Sequence, residues 1–368
     1  MTVFNYRVVH DPTGAANVLT NIQNIQITRG RVQVQDPFKA GTATIQGRVL
    51  SSFPAVNIGD GVRVNEVDPT GASVRVQVFF GVVSDVRFTY GEVPAMDTWT
   101  IYLEDAIAVA GRNLTSPSAG FASGLTTYRA AEIIALGAGI NLFDISPIPS
   151  RSRVSAQSVP NTNALSVIQQ LIFTEQGRLI PSNTNRSLFW LSRGSIGLPS
   201  GDAFTDDTVA TGLNKIYYTN VDLYSQADSY ADQVVIEPAG LANQTAGTGQ
   251  RVFNGASYDE TTAQASDLAG YVLATLSVQN ATPSTVSVIS INNTGLRMLF
   301  AFNSAGFGYT YSLILRGVEQ KVFIEGATLT ATPEQTRITF NLVSAAAQSF
   351  FILDDASFGV LDQNKLGF

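Results

Sequence analysis

The 368-residue sequence contains no cysteine. Disulfides, thiolate metal centres and cysteine nucleophiles are thereby excluded. It contains a single histidine, His10, so one chain cannot assemble a zinc site from imidazoles. A serine-histidine-aspartate triad would have to use that same histidine, and no Gly-x-Ser-x-Gly elbow accompanies it. Charge is scarce as well. Only 14% of the residues are Asp, Glu, Lys or Arg, against about 25% in ordinary soluble domains. A surface so poor in charge is expected to be hidden in part within an assembly. Lys and Arg number 22 against 29 Asp and Glu, a net charge of −7. That balance argues against a dedicated nucleic-acid binder, whose affinity rests on cations meeting phosphates. It remains compatible with a wall past which DNA slides without sticking. No run of about 18 apolar residues marks a transmembrane helix. The start, Met1 to Arg7, lacks the basic and apolar stretches of a signal peptide, so residence in the cytoplasm until assembly is expected. No cofactor or metal is expected, and no stable membrane insertion.

Hydrophobic residues make up 45% of the chain, enough for several packed cores. Residues 1–110 read as strands. Ile25 and Ile27, then Val32 and Val34, alternate with Gln26, Thr28, Gln33 and Gln35, the period of a half-buried strand. Further strands are expected at Ala43 to Val49, Val62 to Val67, Val74 to Val86 and Asp97 to Ala106, with Gly81 where the long strand could bend or bulge. Six or so strands at this spacing point to a small barrel or sandwich. Residues 111–215 change character. Thr127 to Gly137 reads as a short helix, and Leu165, Ile168, Leu171 and Ile172 fall at helical spacing behind the capping candidates Asn161, Thr162 and Asn163. A hairpin is expected from Arg178–Ile180 and Leu188–Leu191. From residue 216 to 368 strands return, with a loop over 239–249 and a helix opened by Asp259 and Glu260 and running to about Leu276. The fold class is therefore mainly β with an α+β insertion: strand-rich parts, 1–110 and 216–368, whose coarse echo would fit two related barrels, around a small α+β domain, 111–215.

Candidate chemistry is thin. Asp206-Asp207 and Asp354-Asp355 are adjacent carboxylates, which could serve a glycosidase, but neighbours in a strand point to opposite faces and in a turn are solvated. Gly59-Asp60-Gly61 and Gly194-Ser195-Ile196-Gly197 lack the Lys-Ser/Thr of a phosphate loop and read as turns. Trp99 and Trp190 sit in strand-like segments. Exposed, they would suit sugar binding; on strands, aromatics more often fill a core or an interface. No catalytic site is assigned.

The C-terminal segment is unusually apolar. Phe351, Ile352, Leu353, Phe358, Val360, Leu361, Leu366 and Phe368 are expected to dock on the fold or on a neighbouring subunit, and are the candidate assembly interface. Its order of motifs resembles the closing segment of minor tail and baseplate hub proteins of tailed bacteriophages. Asp36-Pro37-Phe38 with Gly41 to Ile45, Ile58 to Val64, Phe79 to Val86 and Thr100 to Ala106 resemble the opening barrel of that family. Ala164 to Leu171 with Glu175 to Leu179 resemble its insertion, and Tyr230 to Ile236, Ile324 to Ala327 and Arg337 to Phe340 resemble its second barrel.

The resemblance implies two tail-tube-like barrels in one chain. It implies a non-enzymatic structural protein of the virion tail tip, assembled in the host cytoplasm. A homotrimer would present six barrel units to a six-fold tail tube and leave a central channel for DNA in transit. The implied partners are the tail tube or a distal tail protein, and other tail-tip or spike proteins. Val74 to Val86 and Arg337 to Val343 are candidate strands for completing such a ring without leaving strand edges unpaired. The other reading is a carbohydrate-binding tail protein that recognises host surface glycans.

Overall fold

A computed structural model describes residues 5–11, 17–31, 36–49, 52–68, 70–71, 73–93, 96–206, 214–224, 230–277, 282–293 and 296–345. The chain opens with seven strands: β1 (Asn5–Asp11), β2 (Asn17–Leu19), β3 (Ile22–Gly30), β4 (Lys39–Arg48), β5 (Gly61–Val67), β6 (Val74–Thr89) and β7 (Thr98–Glu104). There follow α1 (Ala106–Ala110), β8 (Gly120–Phe121), α2 (Thr127–Gly137), β9 (Asn141–Asp144), β10 (Gln157–Ser158), α3 (Ala164–Glu175), β11 (Arg178–Pro181) and β12 (Ser187–Leu191). Next come β13 (Leu198–Thr205), β14 (Lys215–Tyr224), β15 (Gln233–Pro238), β16 (Gln244–Gly247), β17 (Val252–Ser257) and α4 (Thr262–Leu276). The described part ends with β18 (Thr282–Ile289), α5 (Arg297–Phe302), β19 (Tyr309–Leu315), β20 (Val318–Ala331) and β21 (Thr336–Ser344). Strand accounts for 50% and helix for 19%, so the protein is mainly β.

Alternation drives the strands. In β3, Ile25 and Ile27 are buried while Gln26 and Thr28 face out. Ile25 pairs with Ile45 of β4, and Ile45 with Ile101 of β7, so one apolar row crosses three strands. The ladder runs β3-β4-β7-β6-β5-β1-β2. The six strands β19-β13-β14-β18-β21-β20 close on themselves, because β20 bonds back to β19. Closure leaves that barrel without an edge, and Phe204, Phe340, Leu313 and Val288 fill its interior. Among the described residues, the N-terminal seven strands have no ladder joining β2 to β3. They are sewn to the barrel instead, through β3 against β20.

Two smaller cores lie outside this sheet. One packs α1, α2 and α3 with β11 and β12 around Trp190, Leu179 and Ile168. Asn163 caps α3 by accepting from Ser166 N at 3.0 Å, and Thr126 caps α2 by accepting from Arg129 N at 3.3 Å. The other packs α4 on the sheet β16-β15-β17 through Leu268, Val272, Val234 and Ile236.

Several expectations need correction. β6 lies between β5 and β7, and β21 between β18 and β20; both have partners on each side, so neither is an edge free to extend a ring. Gly81 stays in register opposite Val62, and the shifts fall between Val64 and Asn65 and between Glu66 and Val67 of β5, and between Val83 and Asp85 of β6. Its missing Cβ is a packing need: a methyl there would stand 2.6 Å from Phe79 Cε1 and 2.9 Å from Leu103 Cβ. The α4 helix starts later than Asp259-Glu260. Thr261 is its cap, accepting from Gln264 N at 3.3 Å, while Gln264 Oε1 accepts from Glu260 N at 3.2 Å. That reciprocal pair resembles a capping box and replaces the expected acidic first turn. The expected loop over 239–249 contains β16, whose partner is β15. Val32, Val34 and the C-terminal docking residues lie outside the described residues.

Candidate functional site

β20 is the one strand shared by both strand systems. Along one side it pairs with β19 over Val318–Phe323 and with β3 over Gly326–Ala331; along the other it pairs with β21. The register against β21 shifts between Ile324 and Gly326, so Glu325 sits at the change of partner. A carboxylate in a run of buried residues requires a cation, and two are present. Arg31 Nε donates to Glu325 Oε2 at 2.7 Å, and Arg178 Nη2 donates to Oε1. The Glu325 side chain is 1% exposed, as is that of Arg178. Arg178 Nη1 also donates to the carbonyls of Phe307 and of Ile324, the latter at 3.2 Å. Arg31 stacks over Phe38 at 4.5 Å and Arg178 over Phe323 at 5.3 Å.

Arg31 follows β3, Arg178 opens β11 of the inserted core, and Glu325 belongs to the barrel. One carboxylate therefore ties three packed units. Burial pushes its pKa up, but Arg178 and Arg31 outweigh that and hold Glu325 below the usual glutamate value. Burial pulls Arg178 down from its ordinary value, opposed by Glu325. The backbone crossing demands glycine. Gly30 has φ +77° and a Cβ there would meet Glu325 O at 2.2 Å; at Gly326 it would meet Arg31 O at 2.4 Å. Beside the junction lies a cavity of about 140 Å³ bordered by Arg31, Phe38, Phe173, Arg178, Tyr271 and Leu276. Both arginines there are already engaged by Glu325, so the arrangement is a structural clasp.

The residues expected to carry chemistry are scattered. His10 is buried and its Nε2 lies 2.7 Å from Asp60 Oδ2. Burial works upward on Asp60, yet the Asn57 N–H and His10 hold its carboxyl below the ordinary value. The Gly59-Asp60-Gly61 turn is held by Gly59 N donating to Val83 O and Val83 N to Asp60 O, both 2.9 Å. Ser195, in the second glycine motif, donates its hydroxyl to Ile148 O at 2.9 Å. Asp206 is exposed and accepts from Arg316 N at 3.1 Å; Asp207, Asp354 and Asp355 lie outside the described residues. No group of three His, Asp or Glu able to hold a metal occurs among the described residues. Trp99 is 2% exposed and donates Nε1 to Arg48 O at 3.3 Å. Trp190 is fully buried, edge-on to Tyr128 at 6.0 Å. Neither offers a face to a sugar. No described helix is long and apolar enough to cross a membrane.

Sequence reasoning missed the clasp. Its signal was Glu325 itself, an acid set between Val322-Phe323-Ile324 and Gly326-Ala327.

The fold is similar to that of solved phage tail proteins. The chain superposes on the prophage MuSo2 43 kDa tail protein of Shewanella oneidensis with a TM-score of 0.66 at 14% identity, over 93% of this chain and 99% of that one. A tail protein of Neisseria meningitidis MC58 gives 0.64 at 13% identity, over 93% and 98%. The c3393 protein of E. coli, a type VI secretion component described as similar to the T4 tail proteins gp27 and gp5, gives 0.54 at 9% identity, over 92% and 76%. No family model and no curated protein matches the sequence. At these identities the likeness defines the fold, and the fold is that of the tail proteins.

Proposed function

We propose that this chain is a structural protein of a phage-type tail, placed at the tail tip as a baseplate hub. The observation that carries the reading is the fold match over 93% of the chain and 99% of a solved tail protein. Three copies close into a ring that meets a six-fold tube on one side and a three-fold tip on the other. Within each copy the division is 1–110, 111–215 and 216–368, with β13, at Leu198–Thr205, lending its strand to the barrel of the third part. DNA passes between the copies. It does not pass through the closed barrel, whose six-stranded interior is filled by Phe204, Phe340 and Leu313. The channel wall is expected to be poor in Lys and Arg, in keeping with the net charge of −7. The role needs no catalysis. The C-terminal residues from Phe351 to Phe368 dock on a neighbouring tail protein, the tube or distal protein on one side, or a spike protein on the other.

The test is particle mass and shape. Mass photometry is expected to show a species of three times the 39.2 kDa chain mass, alone or on addition of tube protein. Electron microscopy is expected to show three-fold rings bound to tube ends. A protein that stays monomeric at high concentration and ignores tube rings would overturn the reading. The glycan reading has lost its two tryptophan platforms, both of which are core residues.

A further inference from the structure

β14 outreaches one of its neighbours. β13 pairs with it only from Lys215 to Tyr217, whereas β18 follows it from Tyr218 to Tyr224. The barrel is closed, but over Tyr218–Tyr224 the side of β14 away from β18 carries no ladder among the described residues. An unpaired strand edge is a template for another strand, and proteins usually blunt it with lysine, proline or other charge. This stretch holds no Lys and no Pro, and its one charge is Asp222. Two register shifts in its ladder with β18, between Tyr218 and Asn220 and between Asp222 and Leu223, twist it without covering it. Leu223 is 48% and Tyr224 55% exposed, so apolar surface accompanies the open edge.

A segment that fits lies beyond β21. Asp222 pairs with Thr285 of β18, and Thr285 with Asn341 of β21. β14 and β21 therefore run parallel, two strands apart, and end at the same rim. The described chain stops at Ala345, while the sequence continues to Phe368. Ser349-Phe350-Phe351-Ile352-Leu353 has aromatic and β-branched content suited to a strand, without Gly or Pro. Its own copy is poorly placed to receive it. Ala345 to Gln348 extend at most about 13 Å. They would have to turn the chain back, clear the end of β18 and cross two strand spacings, about 10 Å. A neighbouring copy sets no such limit. A contact between unlike surfaces, tail on edge, is also the kind that closes a ring.

We propose that Ser349–Leu353 of one copy add as a strand to the open edge of β14, over Thr219–Leu223, in the next copy. The inference rests on the three-copy ring proposed above and names the contact that closes it. Main-chain hydrogen bonds supply the affinity, and Leu223 and Tyr224 the apolar contact. Phe358 to Phe368 are left for the neighbouring tail protein.

The sequence lacks cysteine, so an introduced pair reports without background. In the full chain, Leu223→Cys is combined in turn with Phe350→Cys, Phe351→Cys, Ile352→Cys and Leu353→Cys, and each pair is oxidised. At least one pair is expected to link chains, giving bands at two and three times the 39.2 kDa chain mass on a non-reducing gel that collapse on reduction. A second variant, Leu223→Lys with Tyr224→Lys, blunts the edge. It is expected to lose the three-chain species in mass photometry with an unchanged circular-dichroism spectrum. Disulfides only within single chains, no disulfide in any pair, or a three-chain species that survives both lysines would each overturn the proposal. Three-chain particles without the inter-chain disulfide sink this contact and leave the ring standing; a protein with neither sinks both. Should the lysine variant not fold, the cross-links decide alone.

Discussion

Replacing Glu325 by Gln removes one charge and keeps the shape of the clasp. The two guanidiniums stay buried and lose the acid that compensated them. At an effective dielectric near 20, unit charges about 4 Å apart interact by about 4 kcal/mol. Glu325 has two such partners, Arg31 Nε at 2.7 Å and Arg178 Nη2. The gross attraction is offset by the several kcal/mol it costs to bury each ion, and breaking such a pair from one side typically costs about 3–5 kcal/mol. With about 2.1 cal/mol/K per residue of unfolding entropy over 368 residues, about 4 kcal/mol lowers Tm by about 5 °C. Far-UV circular dichroism on heating measures it. The triple replacement Arg31→Met, Arg178→Met, Glu325→Leu removes every charge at once. It is expected to lie within about 1 kcal/mol of the native protein, or above it, because apolar packing replaces ion burial without loss. The pH dependence follows from the depressed carboxyl. Its contribution is fully present above the ordinary glutamate value of 4.5 and is lost as pH falls through the lower folded value. The Gln variant lacks that acid-side loss. A Glu325→Gln protein less than about 1 kcal/mol weaker than native would refute the account of the clasp.

Burial raises Asp259 to about 6 from 3.8. A raised carboxyl stabilises the fold below its unfolded pKa and loses that contribution as pH rises through 3.8 to about 6, so Asp259→Asn, which can still accept from Ser257, should gain about 1–3 kcal/mol at pH 7 and flatten this slope in a denaturant titration. Gly326→Ala forces a methyl to 2.4 Å from Arg31 O and should cost about 1–3 kcal/mol by chemical denaturation. Trp99→Ala empties a core position and should cost about 3–5 kcal/mol, while any binding on a glycan array stays as in the native protein; selective loss of sugar binding would restore the carbohydrate reading. Deleting residues 346–368 should leave the thermal transition within about 2 °C yet abolish the three-chain species in mass photometry, and retention of that species would remove the docking role of the C-terminal segment.

Local pattern was readable wherever one face of an element is apolar. Thr127–Gly137 and the Asn163-capped α3 follow from spacing and a cap, and so do the β11–β12 hairpin and β6. The α5 helix gave no such pattern, because Met298, Leu299, Ala301 and Phe302 are all buried within six residues. Such a run reads equally as strand or helix. The short β16 hid in a Gly, Ala, Thr and Gln stretch that pairs, among the described residues, with β15 alone. Which strands would be interior was not legible either. Apolar content along β6 and β21 says that they are buried, and pairing on both sides is set by topology.

The clasp and the burial of Arg29 share a cause. β3 must cross from the N-terminal strands to the barrel, and β20 must change partners to receive it. At that crossing the ladder cannot continue from β19 to β3 without a break, and the break falls at Glu325. The two arginines at the end of β3, Arg29 inward and Arg31 toward Glu325, bracket the glycine whose φ of +77° turns the chain. A buried ion pair thus sits where two strand systems must be held in one orientation. The hub role proposed above would be served by rigidity at that point. An ion pair adds direction to the joint where apolar contact alone allows sliding, since bidentate and stacked arginine contacts fix angle as well as distance. On that argument the triple apolar variant, though as stable as the native chain, should show its N-terminal strands and barrel in a wider range of relative angles by small-angle scattering. An unchanged profile would mean that the β3–β20 ladder alone sets the angle.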